Sequence, residues 1–282
     1  MKRGLTDITN VMRGSTQIAK VMRGTTLIWE KVVASSYEAE TIAYKNRVEA
    51  DGGVVIDIGY VDRVIVKAKS LGILANMIHW TSHLAGVKKD AGNAVSKLYS
   101  FVGIDVVQTV GSSQPIHSAT GITYDGDDDF LDFGLILGTD PLALTSGGTL
   151  ETRIKPNYTG VDSYPRILDK STAGSAANGY YLYLLRNDLY YGSDGVDGLM
   201  VNNIPTEYVD IAATISTTQI GYINQVQTQT ASVPLPPATN ANMRIGTWNH
   251  STGRELKGDI NYMRIWDVVL TPTQITEIET VV

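Results

Sequence analysis

Four aspartates crowd one short stretch, Asp125, Asp127, Asp128 and Asp129, around Gly126. Carboxylates at alternate positions about a glycine offer the hard oxygens that Ca²⁺ takes, so Asp125, Asp127 and Asp129 form a candidate calcium set. The competing reading is a turn at Asp125-Gly126 with the other carboxylates in solvent or accepting loop N–H bonds. Two further loops join an aromatic ring to amide or carboxylate side chains, which suits stacking on a sugar ring and bonding its hydroxyls. They are Thr247-Trp248-Asn249-His250-Ser251 and Tyr190-Tyr191-Gly192-Ser193-Asp194. Trp248, Asn249, His250, Tyr191 and Asp194 are therefore the candidate glycan contacts. The alternative puts Trp248 at the end of a core and Tyr191 between strands.

Motifs for catalysis are missing from the string. A glycosidase places two carboxylates about 5 to 9 Å apart, and on a glucanase-like sheet this reads Glu-x-Asp-x-Glu. The nearest approach to it is Glu277 and Glu279, in a terminal turn. His79 and His83 have helical metal-ligand spacing, but no Glu follows His79 and a catalytic zinc needs a third ligand. Packing on a helix surface is the better reading of that pair. No phosphate-cradling glycine loop and no Gly-x-Ser-x-Gly elbow is present. The expectation is a protein that is not an enzyme, with no cofactor apart from the calcium candidate.

Composition narrows the partners. The 282 residues are 43% hydrophobic and 18% charged, with a net charge of −6. That charge argues against duplex nucleic acid, which requires a basic face to displace counterions, and no segment reaches the roughly 18 apolar residues that insertion in a membrane takes. There are no cysteines, which excludes disulfides and thiolate metal sites. The N-terminus has no apolar signal core. A soluble product that leaves a cell by lysis or a non-classical route is expected.

Three segments must position these residues. Residues 1–34 carry a ten-residue repeat in which Arg, Gly, Thr and Ile recur: Arg3-Gly4, Arg13-Gly14 and Arg23-Gly24, then Ile8, Ile18 and Ile28. Two-residue hairpin loops at Arg13-Gly14 and Arg23-Gly24 would set Ile18 opposite Trp29 in a small meander with apolar groups on both faces. Three short strands are marginal in water, so Ile8, Ile18, Ile28 and Trp29 are candidate assembly residues shared between copies, against a hairpin packed on its own chain. Residues 35–102 read as a helical connector. Tyr37, Ile42, Tyr44 and Val48 share one helix stopped by Asp51-Gly52-Gly53; Ile58, Val61, Ile65 and Ala68 share a second ended by Gly72; a third apolar run spans Ile73 to Leu84. Residues 103–282 alternate short β-branched and tyrosine-rich runs with turn signals, which predicts a mainly β, two-sheet jelly-roll sandwich.

The end of the chain resembles laminin-G-like and concanavalin-A-like lectin domains. The residues that carry the likeness are Met243-Arg244-Ile245-Gly246, Gly258-Asp259-Ile260, Met263-Arg264-Ile265-Trp266 and Leu270-Thr271-Pro272-Thr273-Gln274-Ile275. Tyr124-Asp125-Gly126-Asp127-Asp128-Asp129-Phe130-Leu131 adds the strand and loop at the domain's start. The N-terminal repeats, with Ala43-Tyr44-Lys45-Asn46-Arg47-Val48 and Lys97-Leu98-Tyr99-Ser100, resemble bacteriophage virion proteins of the head- or tail-fibre type. That resemblance implies a virion-surface protein made in the host cytoplasm, a homotrimer held to other virion proteins by its N-terminus. Its lectin-like domain would decorate the particle or adhere to host or mucosal glycans. A glycan-degrading depolymerase and a purely structural capsid or tail component are the alternatives.

Overall fold

The computed structural model describes residues 11–13, 16–18, 20–23, 26–30, 37–134, 140–157, 164–172, 179–239, 241–249 and 253–281. Two compact units emerge, Met1–Tyr37 and Glu38–Val282.

In the smaller unit, Val11–Arg13 pairs with Thr16–Ile18, and Lys20–Arg23 pairs with Thr26–Glu30, each antiparallel. Arg13 lies opposite Thr16 and Arg23 opposite Thr26. The arginines thus close the ladders. The expected register is corrected by this. Ile18 faces Val11 and Trp29 faces Val21, with Ile28 at a register shift. Among the described residues the repeat makes two separate hairpins where one meander was expected, and a one-residue slip exchanges the two faces of a strand. Ile8 lies outside the described residues.

The larger unit starts with helices. α1 (Ala39–Ala50) buries Thr41, Tyr44 and Val48, and Gly52 beyond it takes φ 76°. α2 (Ile58–Ser70) is capped by the Asp57 carboxylate, which accepts from the Tyr60 N–H at 2.9 Å. Its buried residues, Tyr60, Val61, Val64, Ile65 and Ala68, fall on one stripe. The third expected helix is absent. After one 3₁₀ turn, Met77–Ser82 is a strand with all six residues buried. A short apolar run buried on both sides has no period to separate strand from helix.

The strands build two antiparallel sheets. The first runs Ile116–His117, Ile122–Asp125, Lys257–Trp266, Gly148–Pro156, Val209–Ile215, Gln219–Ile223 and Val226–Ala231. Lys257–Trp266 is long enough for two partners on one side, Ile122–Asp125 along its first half and Met77–Ser82 along its second. The second sheet runs Val196–Val201, Asp188–Ser193, Gly179–Leu185, Arg166–Ser171, Arg244–Ile245, Leu131–Asp132, Val106–Val107, Val95–Tyr99, Gly86–Lys89 and Val54–Val55. Four strands, Val54–Val55, Met77–Ser82, Gly86–Lys89 and Val95–Tyr99, come from residues 35–102, so that stretch is not a separate connector. They complete both sheets of the sandwich.

Between the sheets lies the main core, with Leu150, Ile154, Ile211, Met263 and Ile265 facing Leu168, Tyr180, Leu182, Leu189 and Tyr191. A second apolar cluster covers the other side of the first sheet. There α2 and α3 (Pro272–Glu279) pack on Trp80, Ala212, Tyr222 and Trp266. Thr271 and Gln274 form a reciprocal capping box that starts α3.

Candidate functional site

Strand alternation sorts the tyrosines. In Gly179–Leu185, Tyr180, Leu182 and Leu184 enter the core, so Tyr181 and Tyr183 must take the opposite face. Cross-strand register sets Tyr190 beside Tyr183, Gly192 and then Asp197 beside Tyr181, and Arg166 and Asp169 on the other flank. The Tyr183 and Tyr190 rings stack at 5.2 Å. Tyr181 and Tyr183 both donate to Asp197, at 2.9 and 3.0 Å. Gly192 is required here, because a Cβ on it would come within 2.0 Å of the Tyr181 ring.

Arginine interleaves with these rings. The Arg166 guanidinium sits 3.9 Å from the Tyr181 ring centre and 4.7 Å from that of Tyr183, and its Nε is 3.5 Å from Asp169. Burial lowers the Arg166 pKa, and the nearby Arg254 charge adds to that. Burial, then the Asp197 charge, pushes the Tyr181 hydroxyl up to about 12, so it stays a donor at neutral pH. Arg254 stacks 4.0 Å over Trp248 and 5.5 Å over Tyr164, whose ring in turn meets Tyr183 at 5.8 Å. A continuous aromatic–arginine run results: Trp248, Arg254, Tyr164, Tyr183, Tyr190. Tyr164 is 40% exposed, Asp197 is exposed, and Trp248, Arg254 and Tyr190 are half-buried. Flat rings, guanidinium donors and a carboxylate acceptor in one run are the groups that hold a pyranose ring and its hydroxyls.

Of the expected glycan contacts, Trp248 belongs to this run. Asn249 is turned inward, its amide donating to the Asn242 carbonyl, and His250 lies outside the described residues. Tyr191 is a correction: its side chain is fully buried in the core, stacked 6.3 Å from Tyr180, where no sugar reaches it. Asp194 makes a hairpin turn with Gly195, at φ 48° and 75°, the positive-φ pair that tight hairpins demand. Sequence reasoning missed Tyr164, Tyr181, Tyr183, Tyr190, Arg166, Arg254 and Asp197. The signal for Tyr190 over Tyr191 was parity along the strand.

The acidic loop is arranged differently from expectation. Carboxylate oxygens of Asp125, Asp128 and Asp129 lie within 4.8 Å of one another, without Asp127. The Asp127 N–H instead donates to Asp125 at 2.8 Å, closing an Asx-type turn. Burial, with Asp125 and Asp128 adding to it, raises the Asp129 pKa to about 6. The His pair does not converge either. His79 bonds the Ile104 carbonyl at 3.1 Å and Thr81 at 3.2 Å, while His83 bonds the Asn261 carbonyl at 3.1 Å.

A family model described as the concanavalin A-like lectin/glucanases superfamily, of laminin G type, matches residues 126–276. No curated protein matches. Among solved structures, a Trypanosoma rangeli sialidase with 2,3-difluorosialic acid is similar at TM-score 0.55 and 10% identity, over 72% of this chain and 32% of the sialidase. The binding domain of Paraclostridial Mosquitocidal Protein 1 is similar at TM-score 0.54 and 10% identity, covering 72% of this chain and 51% of that one. The botulinum neurotoxin serotype D binding domain is similar at TM-score 0.51 and 12% identity, with 73% and 51% covered. The chain thus spans about a third of the sialidase and half of each toxin chain. At such identities the likeness is one of fold.

Proposed function

Because the chain belongs to the concanavalin A-like lectin/glucanases superfamily, we propose that it is a non-enzymatic carbohydrate-binding protein whose contact surface is the Trp248–Arg254–Tyr164–Tyr190 run. One observation carries the reading: this sheet face gathers aromatic rings, guanidinium groups and Asp197 in contact with one another. The fold is shared with the binding domains of a botulinum neurotoxin and of a mosquitocidal protein. The same fold also hosts unrelated roles, so the face itself is the argument.

The finer reading places this domain on a bacteriophage virion, as a head fibre, tail fibre or decoration protein. In it, the N-terminal hairpins join three copies and attach them to other virion proteins. Support comes from the ten-residue repeat, which forms short hairpins whose two-stranded sheets are marginal alone. Weak sites repeated on one particle would bind through avidity. Asp125, Asp128 and Asp129 would take a hard divalent cation beside this domain's strands.

A glycan array probed with the full chain on multivalent beads tests the reading. Binding without new reducing ends is expected, and Trp248→Ala should weaken it. Release of reducing ends would mark a depolymerase, and silence across the array a purely structural component. Light scattering on the full chain against residues 35–282 tests assembly. Three copies that fall to one on truncation are expected, and a monomeric full chain would overturn the trimer.

A further inference from the structure

The opposite outer face, under the helices, holds three ionisable side chains that glycan binding does not use. Glu151, Arg264 and Glu279 are 1%, 0% and 3% exposed. Glu151 and Arg264 are cross-strand partners, with Arg264 Nη1 3.5 Å from Glu151 Oε2. The same nitrogen donates to the Ile278 carbonyl of α3 at 3.3 Å, and the guanidinium lies 4.1 Å from the Tyr262 ring centre. Glu279, at the end of α3, has no hydrogen-bond partner on either carboxyl oxygen among the described residues.

Other ionisable groups facing this space come from every neighbouring element. Strand Val209–Ile215 supplies Asp210, which accepts from the Tyr262 hydroxyl at 2.8 Å and from Arg153 at 3.2 Å. Tyr60 comes from α2 and Tyr222 from Gln219–Ile223, while Lys67 of α2 pairs with Glu277 of α3 at 3.0 Å. Arg153 and Lys67 are therefore already engaged. One guanidinium, Arg264, is left for two buried carboxyl groups. It balances one negative charge, and a second would be buried without a cation, which is strongly unfavourable.

We propose that Glu279 is an alkaline-sensitive latch on α3: protonated, it stays docked beside Glu151 and Arg264; ionised, it moves to water and frees the last turn of the helix. In that step hydroxide takes the carboxyl proton to form water, and the electron pair stays on the carboxylate. Glu151, in contact with the guanidinium, is the member whose charge Arg264 offsets once it forms. The geometry puts the titrating group at the helix end, where Thr280 is already exposed and only a short excursion reaches solvent. Burial is the main cause that pushes both carboxyls up, each to about 8, which sets the pH range of release. The latch is independent of the glycan reading.

Pulsed hydrogen exchange on the full chain from pH 6 to 10, corrected for the base catalysis of exchange itself, tests it. Protection of the Ile275–Glu279 amides should fall by up to about tenfold per pH unit from pH 6 to about 8 and level off above that, one proton being released per opening over that window, while that of Gly179–Leu185 stays level. Glu279→Gln should remove the fall. Glu151→Gln should remove it too, because Glu279 then becomes the sole partner of Arg264. Level α3 protection up to pH 10, or the same fall in either variant, overturns the proposal. If Glu279→Gln does not fold, Glu151→Gln carries the test alone.

Discussion

The two outer faces of the sandwich share one core and differ in what lies on them. The first sheet turns Trp80, Trp266, Tyr222, Glu151 and Arg264 outward, and α2 and α3 cover them. The second sheet turns Tyr181, Tyr183, Tyr190, Arg166 and Asp197 outward, and their described contacts come from the strands, Tyr164 and Arg254. Arginine shows the contrast well. Arg264 is locked between a carboxylate and a helix carbonyl, whereas Arg254 rests on two partly exposed rings. A sheet face roofed by helices spends its polar groups on holding the roof. On the face without them Tyr181, Tyr183 and Arg166 are buried against one another, while Tyr164, Tyr190, Trp248 and Arg254 keep part of their surface in solvent.

The largest effect that tests this contrast is on stability. Trp80→Ala removes a fully buried ring from the helical layer and should cost about 3–5 kcal/mol, read as a lower urea midpoint. A loss under 1 kcal/mol would mean the helices are a loose cover. Trp248→Ala and Tyr164→Ala on the other face should leave the midpoint nearly unchanged and weaken glycan binding about 10- to 100-fold, or about 1.4–2.7 kcal/mol. A matching drop in stability would make that face structural.

Next in size is the pH dependence of the roofed face. Glu151 and Glu279 hold their protons to about pH 8 when folded but release them near 4.5 when unfolded, so the folded state binds more protons between these values. Their contribution to stability is full below about pH 4.5 and is lost as pH rises towards 8. The urea midpoint should therefore fall from pH 5 to pH 8 in the wild type and fall less in Glu279→Gln. A wild-type midpoint that stays level or rises over that window, or one that falls equally in the variant, would refute the burial of the pair.

The smallest effect concerns the acidic loop. Asp129→Asn removes a carboxylate crowded by Asp125 and Asp128. It should raise the melting temperature slightly at pH 7 without calcium and abolish any rise that added Ca²⁺ produces in the wild type.

Much of the fold was legible in the string. The run of α1 with its glycine stop, the capped run of α2, the switch to short strands, and the Gly-Asp-Ile to Leu-Thr-Pro ending all carry local signals. Met77–Ser82 was not legible, because a strand buried on both sides shows no alternation. In the site, Trp248 was found by loop composition. Tyr190 and Tyr191 are neighbours of identical type, and composition cannot separate them; only the strand's phase against the core does.

Sequence alone determined the helices, turns and alternating strands that carry a cap, a glycine or a period, since those signals act over a few residues. It also determined the chain's acidic charge and the absence of thiol chemistry. Tertiary structure decided which residues meet: Arg254 with Trp248 and Tyr164, and Glu151 with Arg264 and Glu279 across more than a hundred positions. Those meetings depend on strand order and on where a helix lands, and both follow from burying one shared core rather than from any local run of residues.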